Sequence, residues 1–294
     1  MSIFGLSEGI VAWPRAEGVA LLAGFAWGAM FGSFINVVAS RLPRGASVVT
    51  GPSCCPRCGA AIRPWDNVPV LAWLWLRGRC RDCRGLIPAT YPLVEAGCGF
   101  LVMLLAATEL TKPGAIDRLL RADLRGLASF GLQSAIVLTI VAWSRLDAAG
   151  WRPRSGMWLV PALVAAVGSV AAVPHAVPSL AGESLPPWLR AGTPANAALA
   201  ALAGQVAGCL VSRGVAVIFR PANWGLALVG GLPLAGSVLG WQAATVGGVL
   251  TAALARLGRL GPAGTGFLWA CCAALLLAGR AWGWGLFAHF LPGS

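Results

Sequence analysis

Long apolar runs separated by short polar stretches dominate the chain. A run of about 17–25 apolar residues is long enough to cross the hydrocarbon layer as a helix. Such runs fall at about 18–39, 91–110, 126–145, 156–174, 195–218, 222–238, 240–258 and 263–281. The pattern predicts an all-α polytopic membrane protein with about eight transmembrane helices. The two runs around 222–258 are interrupted by Gly230, Gly231, Pro233, Gly236 and Gly240. Small residues of this kind let helices pack closely in lipid. One long polar stretch, near residues 41–84, separates the first two runs. Met1 to Ala16 lacks a charged segment followed by a short apolar core, so no removable signal peptide is expected. Two parts result: residues 1–110, with two helices and the polar loop, and residues 111–294, with six helices.

Composition agrees with the pattern. The 294 residues are 57% hydrophobic and only 11% charged, where a soluble domain carries roughly 25% charged residues. A disordered chain, a nucleic-acid-binding domain and an ordinary cytosolic enzyme are excluded. The net charge of +12 is then a matter of topology, because cytoplasmic loops of membrane proteins are enriched in Lys and Arg. The segment from Arg41 to Arg84 holds eight arginines against Asp66 and Asp82 and is expected in the cytoplasm. Alternation then places Asp147 with Arg145, Arg152 and Arg154 inside, along with Arg220, Arg256 and Arg259, and both termini outside. The stretch from Lys112 to Arg125 goes against this rule, with four basic residues on the expected outer side. The acids are distributed unevenly: all 10 lie at or before Glu183, and the 111 residues after it hold none.

The polar loop carries the strongest chemical signal. Cys55-Pro-Arg-Cys58 and Cys80-Arg-Asp-Cys83 form two C-x2-C pairs. Each two-residue gap lets a tight turn present two sulfurs to one ion, and two such turns complete a tetrahedral S4 site for Zn²⁺. A reducing cytoplasm disfavours disulfides. Four free thiols or redox pairs are the alternative. Four protein ligands close the shell of the ion, so its role would be structural, a staple for a loop with little core. Asp82 reads as a solvated neighbour, and Cys54 as the less suitable ligand beside Cys55. Cys98, Cys209, Cys271 and Cys272 lie in apolar runs and read as small buried hydrophobes.

The same region carries a family resemblance. Phe31-Gly-Ser-Phe-Ile-Asn36 leads into Arg41-Leu-Pro-Arg44, followed by Cys55-Pro-Arg-Cys58 and Asn67-Val-Pro-Val-Leu-Ala-Trp73. Leu76-Arg-Gly-Arg-Cys80-Arg-Asp-Cys83 and Tyr91-Pro-Leu-Val-Glu95 complete the series. Order and spacing resemble the prepilin leader peptidase/N-methyltransferase family from about residue 28 to 97. The resemblance implies a multi-pass enzyme of the bacterial inner (cytoplasmic) membrane. Such an enzyme cuts the leader from type IV prepilins or type II secretion pseudopilins. It then methylates the new amino terminus with S-adenosylmethionine. It further implies that the cysteine loop belongs to the methyl-transfer part and that the later helices carry an aspartic peptidase.

An aspartic peptidase needs two carboxylates around one water, one as base and one protonated. The first family Asp corresponds to Asp147, with Pro153 six residues on. A helix-end ion pair with Arg145 or Arg152 is the plainer reading of Asp147. The second family Asp ends a Gly-x-Gly-Asp motif. The matching stretch here, Asn223-Trp-Gly-Leu-Ala-Leu228, has Ala227 for the second Gly and Leu228 for the Asp. With no acid downstream of Glu183, the expectation is a degenerate member with a broken peptidase site. The alternative is a catalytically dead scaffold that binds pilin-like helices or pairs with an active paralogue.

Three further residues lie in the resembling region. Glu95, at the membrane end of the second run, is either a partner for Arg77 or Arg79 or part of the methyl-transfer site. Asn36 reads as an interhelical hydrogen bond, and Arg41 as a positive-inside anchor or a carboxylate receiver. His175 and His289 have no metal-ligand partners nearby in sequence. No Gly-x-Gly-x-x-Gly after a strand is present, so any S-adenosylmethionine site would be made by the loop and the helix ends.

Overall fold

The computed structural model describes residues 15–110 and 125–151, the helix Pro262–Ala281, and isolated helical positions between 199 and 253. Five helices are defined: α1 (Arg15–Arg41), α2 (Leu71–Trp75), α3 (Thr90–Glu109), α4 (Arg125–Ala148) and α5 (Pro262–Ala281). Short 3-10 turns at Leu42–Arg44 and Pro64–Asn67 punctuate the loop between α1 and α3. Among the described residues there is no strand longer than an isolated bridge.

The stretches Glu17–Arg44, Thr90–Glu109 and Gly126–Ala148 are long and apolar enough to cross a membrane. They match the first three expected runs. The run at 263–281 is helical, as α5. The four runs from 156 to 258 fall largely outside the described residues, as do the motif around Leu228 and both histidines. α4, the third expected span, extends past 145 to Ala148, so Asp147 lies within its last turn and not beyond it.

α1 and α3 form the closest pair, and glycine spacing is the reason. Gly24, Gly28 and Gly32 recur every fourth residue along one face of α1. A Cβ on Gly24 would come 2.8 Å from Ala106 Cβ, and one on Gly32 would come 2.8 Å from the Cα of Glu95. At Gly28 it would collide with the backbone carbonyl of Cys98. Stripes of small residues bring helix backbones together where lipid supplies no hydrophobic drive. The pairs run in opposite order along the two chains, so the helices are antiparallel. On the other helix, Gly99 makes room for the ring of Phe25, which stacks edge-on against Phe100 with centroids 5.2 Å apart.

α4 and α5 pack onto this pair. Val102, Leu105, Val137, Ile140, Trp269 and Ala273 are completely buried where the helices meet. At one end of α4, Gln133 donates to Glu109 at 3.2 Å and to Ser129 at 3.0 Å, tying α4 to the end of α3. At the other end, Ser144 and Asp147 are buried. Cys98 is fully buried, as its apolar setting predicts. Cys209 differs from the expectation: its helix turns it outward and it is exposed. In a membrane helix an outward face is an apolar one, so apolar context does not distinguish lipid-facing from buried positions.

Candidate metal centre and the buried Glu95 notch

The cysteine loop is built from two copies of one turn. In the first, the Cys55 amide donates to Ala60 O at 2.9 Å, the Gly59 amide to Cys55 O at 2.9 Å, and the Ile62 amide to Ser53 O at 2.7 Å. In the second, the Cys80 amide donates to Gly85 O at 2.8 Å, the Arg84 amide to Cys80 O at 3.1 Å, and the Ile87 amide to Gly78 O at 2.7 Å. The bridges Cys54↔Ala61 and Arg79↔Leu86 close the two copies in the same register. Both need a left-handed residue just after the second cysteine. The first has Gly59 there at φ 73, and the second has Arg84 at φ 56. Gly fits this conformation without cost, whereas Arg is strained in it.

The two turns bring Cys55, Cys58, Cys80 and Cys83 together with all ligand sulfurs within 4.8 Å of one another. The Sγ atoms of Cys55 and Cys83 are 3.9 Å apart. A tetrahedral ZnS4 centre with Zn–S near 2.3 Å puts its sulfurs about 3.8 Å apart, so the donor set fits Zn²⁺. Cys54 is exposed and outside the cluster. Asp82 is not among the four either, and its carboxylate lies 4.0 Å from Arg63. The amides of Cys58 and Arg57 point at the Cys55 sulfur and lower its pKa to about 7. At Cys58 the Ala60 amide acts in the same lowering sense. Burial and the neighbouring sulfurs of Cys83, Cys55 and Cys80 outweigh it and raise that thiol to about 11. Four crowded sulfurs cannot all lose their protons without a cation among them, which is the electrostatic setting of a metal centre.

A chain of contacts links the second turn to the membrane helices. Arg81, between two of the ligands, grips the Asp66 carboxylate with two hydrogen bonds of 2.6 Å. That grip, through Arg81 first and with help from the Trp75 side chain, holds Asp66 below its ordinary pKa. Trp73 donates to Ile87 O at 3.0 Å and lies over Gly78, leaving no space for a Cβ there. α2, through Trp73, and the Asp66 turn before it are thus fastened to the second cysteine turn. Just before α2, Val70 sits at φ 63, ψ −53, with the Leu71 amide bonded back to Pro69 O at 2.7 Å. This is a γ-turn of the rare positive-φ hand, strained for any residue with a Cβ and more so for a β-branched one.

The strained turn aims the Val70 amide at Glu95, donating to Oε2 at 2.7 Å. Glu95 is buried against α1 and also hydrogen-bonds with the Ser33 side chain. Neither Arg77 nor Arg79 pairs with it, contrary to one of the two sequence readings. The two ion pairs between described residues are Arg63–Asp82 and Arg81–Asp66, and Arg77 and Arg79 are exposed on the turn after α2. One helical turn away, Asn36 donates to Tyr91 O at 3.2 Å, the interhelical bond its sequence context suggests. Arg41 is engaged with its own loop. Its guanidinium donates to the carbonyls of Ser47, Thr50 and Pro52 at 3.2, 3.1 and 2.8 Å and folds that loop around itself. Val70 is the residue that sequence reasoning missed. Its only signal was Pro69 before it, and its positive φ accompanies the tertiary tie to Glu95.

A helical membrane protein with a four-cysteine metal loop between its first two spans is the class these features define. The comparisons add a family. Residues 26–108 match the model of the bacterial peptidase A24 N-terminal domain. A prepilin leader peptidase/N-methyltransferase of Burkholderia pseudomallei (strain K96243) is 37% identical over 145 residues, covering 41% of this chain and 43% of that protein. The protein of the same name from Myxococcus xanthus (strain DK1622) is 48% identical over 77 residues, 26% of this chain and 23% of that one. That of Aeromonas salmonicida (strain A449) is 36% identical over 121 residues, 33% and 42% respectively. No solved structure matches the chain. Through its amino-terminal part the chain is a relative of the prepilin leader peptidase/N-methyltransferases. The matched stretch spans less than half the length of these curated relatives.

Proposed function

We propose that the protein handles the amino-terminal segment of a type IV prepilin or pseudopilin at the inner membrane, with methyl transfer retained and leader cleavage lost. The observation that carries the first half is the Glu95 notch: a buried carboxylate held by Val70 and Ser33, beneath a loop built for a structural Zn²⁺. An amino terminus must give up a proton before it can attack a methyl group, and in this reading Glu95 takes it. The methyl donor would be S-adenosylmethionine, which supplies an activated methyl group and would be held by the loop and the helix ends.

The second half rests on the acids. Cleavage by an aspartic pair needs two carboxylates that share a water. Asp147 is a candidate for one of them, buried in the last turn of α4. For the second, residues 184–294 offer no Asp or Glu, and Leu228 stands at the motif position. The same absence favours a second reading, in which the chain is a dead scaffold that holds a pilin-like helix or an active paralogue.

Coexpression with a tagged prepilin in a peptidase-null host tests these readings by mass spectrometry of the pilin amino terminus. The expected result is an intact leader on the full precursor, and methylation of a pre-cleaved pilin that is lost with Glu95→Ala. Leader removal that disappears with Asp147→Ala would overturn the loss of cleavage. Copurification of pilin with no methyl gain would favour the scaffold.

A further inference from the structure

One side of the short helix α2 is apolar and exposed. In α2, Leu71, Leu74 and Trp75 lie at i, i+3 and i+4, on one side of the helix. Leu74 is 57% exposed, while Ala72 on the opposite side is 7% exposed. Trp65 and Val68, just before α2, are exposed too. The loop that carries this stripe is strongly basic. Arg77 and Arg79 follow α2 closely and Arg84 lies on the second cysteine turn; all three are exposed and form no ion pair with a described carboxylate.

The depth of α2 is set by its tie to α3. Thr90–Glu109 is 20 residues long, about 30 Å, which matches a hydrocarbon layer of about 30 Å. Glu95 lies five residues inside that helix, and its side chain tilts back toward the helix start. The carboxylate that receives the Val70 amide is therefore level with the first turn of α3. Val70 leads at once into α2, so α2 sits at the edge of the hydrocarbon. Tryptophans and short amphipathic helices settle at that level.

We propose that the α2 face is a lipid-docking surface whose partner is the anionic phospholipid headgroup layer. Leu71, Leu74 and Trp75 enter the acyl boundary, and Arg77, Arg79 and Arg84 meet the phosphates. The arginines decide between occupants. An apolar protein partner needs no cluster of unpaired cations at its rim, whereas an anionic leaflet attracts one. Docking would hold the metal loop flat over the Glu95 notch.

Cross-linking of the full chain tests the proposal. The chain is reconstituted in discs of equal phosphatidylcholine and phosphatidylglycerol, with a photoreactive benzoylphenylalanine replacing Leu74 or, as a control, Val49. Val49 lies on the loop clasped by Arg41, and Arg41 is five residues, about 7.5 Å, beyond the Asn36–Tyr91 level. Lipid adducts should form at Leu74 and several-fold less at Val49, with phosphatidylglycerol over-represented. Combining Arg77→Gln, Arg79→Gln and Arg84→Gln should bring the phosphatidylglycerol share back to half while adducts persist. Metal analysis identifies folded chains. A chain that keeps its zinc but forms no more adducts at Leu74 than at Val49 overturns the proposal, as does cross-linking of Leu74 to a protein in native membranes. An unchanged phosphatidylglycerol share in the triple variant overturns the role of the arginines.

Discussion

The cysteine loop and the α1–α3 pair are joined by the Val70–Glu95 hydrogen bond and by the Arg41 guanidinium, yet they are held together by opposite means. The loop has almost no apolar interior: Ala72 and Cys80 are its buried hydrophobic residues. It relies on backbone turns, four sulfurs and the Arg81–Asp66 grip. The helix pair has few polar ties and relies on the close approach that Gly24, Gly28 and Gly32 allow. A loop of this kind can be undone by removing one ion, whereas a packed helix pair yields only to a change of shape. The strained Val70 turn lies where the two regimes join, so its geometry depends on both.

The largest expected effect separates the regimes at once. Structural zinc contributes on the order of 10 kcal/mol to small metal-folded units. Purified protein should carry about one zinc per chain, by the single S4 cluster. Chelation, or Cys80→Ser, should open the arginine-rich loop to trypsin while helical circular dichroism changes little. A loop that stays resistant after zinc is removed would contradict this picture. Next in size, Gly28→Leu should drive a side chain into the Cys98 carbonyl. Overpacking costs typically 1–3 kcal/mol and more against backbone. Its melting temperature in detergent should drop while its zinc content stays at the level of the unaltered chain.

Smaller changes probe the junction. Val70→Gly should relieve the positive-φ strain, worth about 1–3 kcal/mol, and lose part of the gain, about 0.5–1 kcal/mol, to a more flexible unfolded chain. A net stabilisation of about 1 kcal/mol is expected, read from denaturant or thermal melts. A destabilised Val70→Gly would mean that the turn is not strained. The smallest effect belongs to Asp66→Asn. Arg81 holds the Asp66 carboxyl below its usual pKa, so its contribution is present above the unfolded value near 3.8. It is lost as pH falls through the lower folded value. The variant should therefore differ from the parent at neutral pH and converge with it in acid. A gap that widens in acid would assign the grip to some other group.

Much of the architecture is legible in the chain alone. Apolar run length marked the first three spans and α5, because a membrane helix must be long and apolar to cross. The C-x2-C spacings named all four members of the sulfur cluster, because two-residue gaps and a following left-handed turn are local requirements. Asn36 makes the interhelical hydrogen bond that its place in a span suggests, since a buried amide there has few other options. Glu95 was singled out by its depth, but its partners were not. Arginines are close to it in sequence, yet the acceptor it became is filled by the backbone of Val70.

Only the tertiary structure decided the rest. That the two cysteine turns are copies in one register became visible through their hydrogen bonds, since Arg84 disguises the position held by Gly59. That Arg41 folds a loop around itself depends on carbonyls six to eleven residues away converging on one guanidinium. The outward stripe of α2 and the inward amide of Val70 follow from how the loop rests on α3. Local sequence specifies turns and spans because their forces act between near neighbours. Burial, strain and the facing of a carboxylate are set by contacts between distant parts of the chain, and those exist only once the helices have packed.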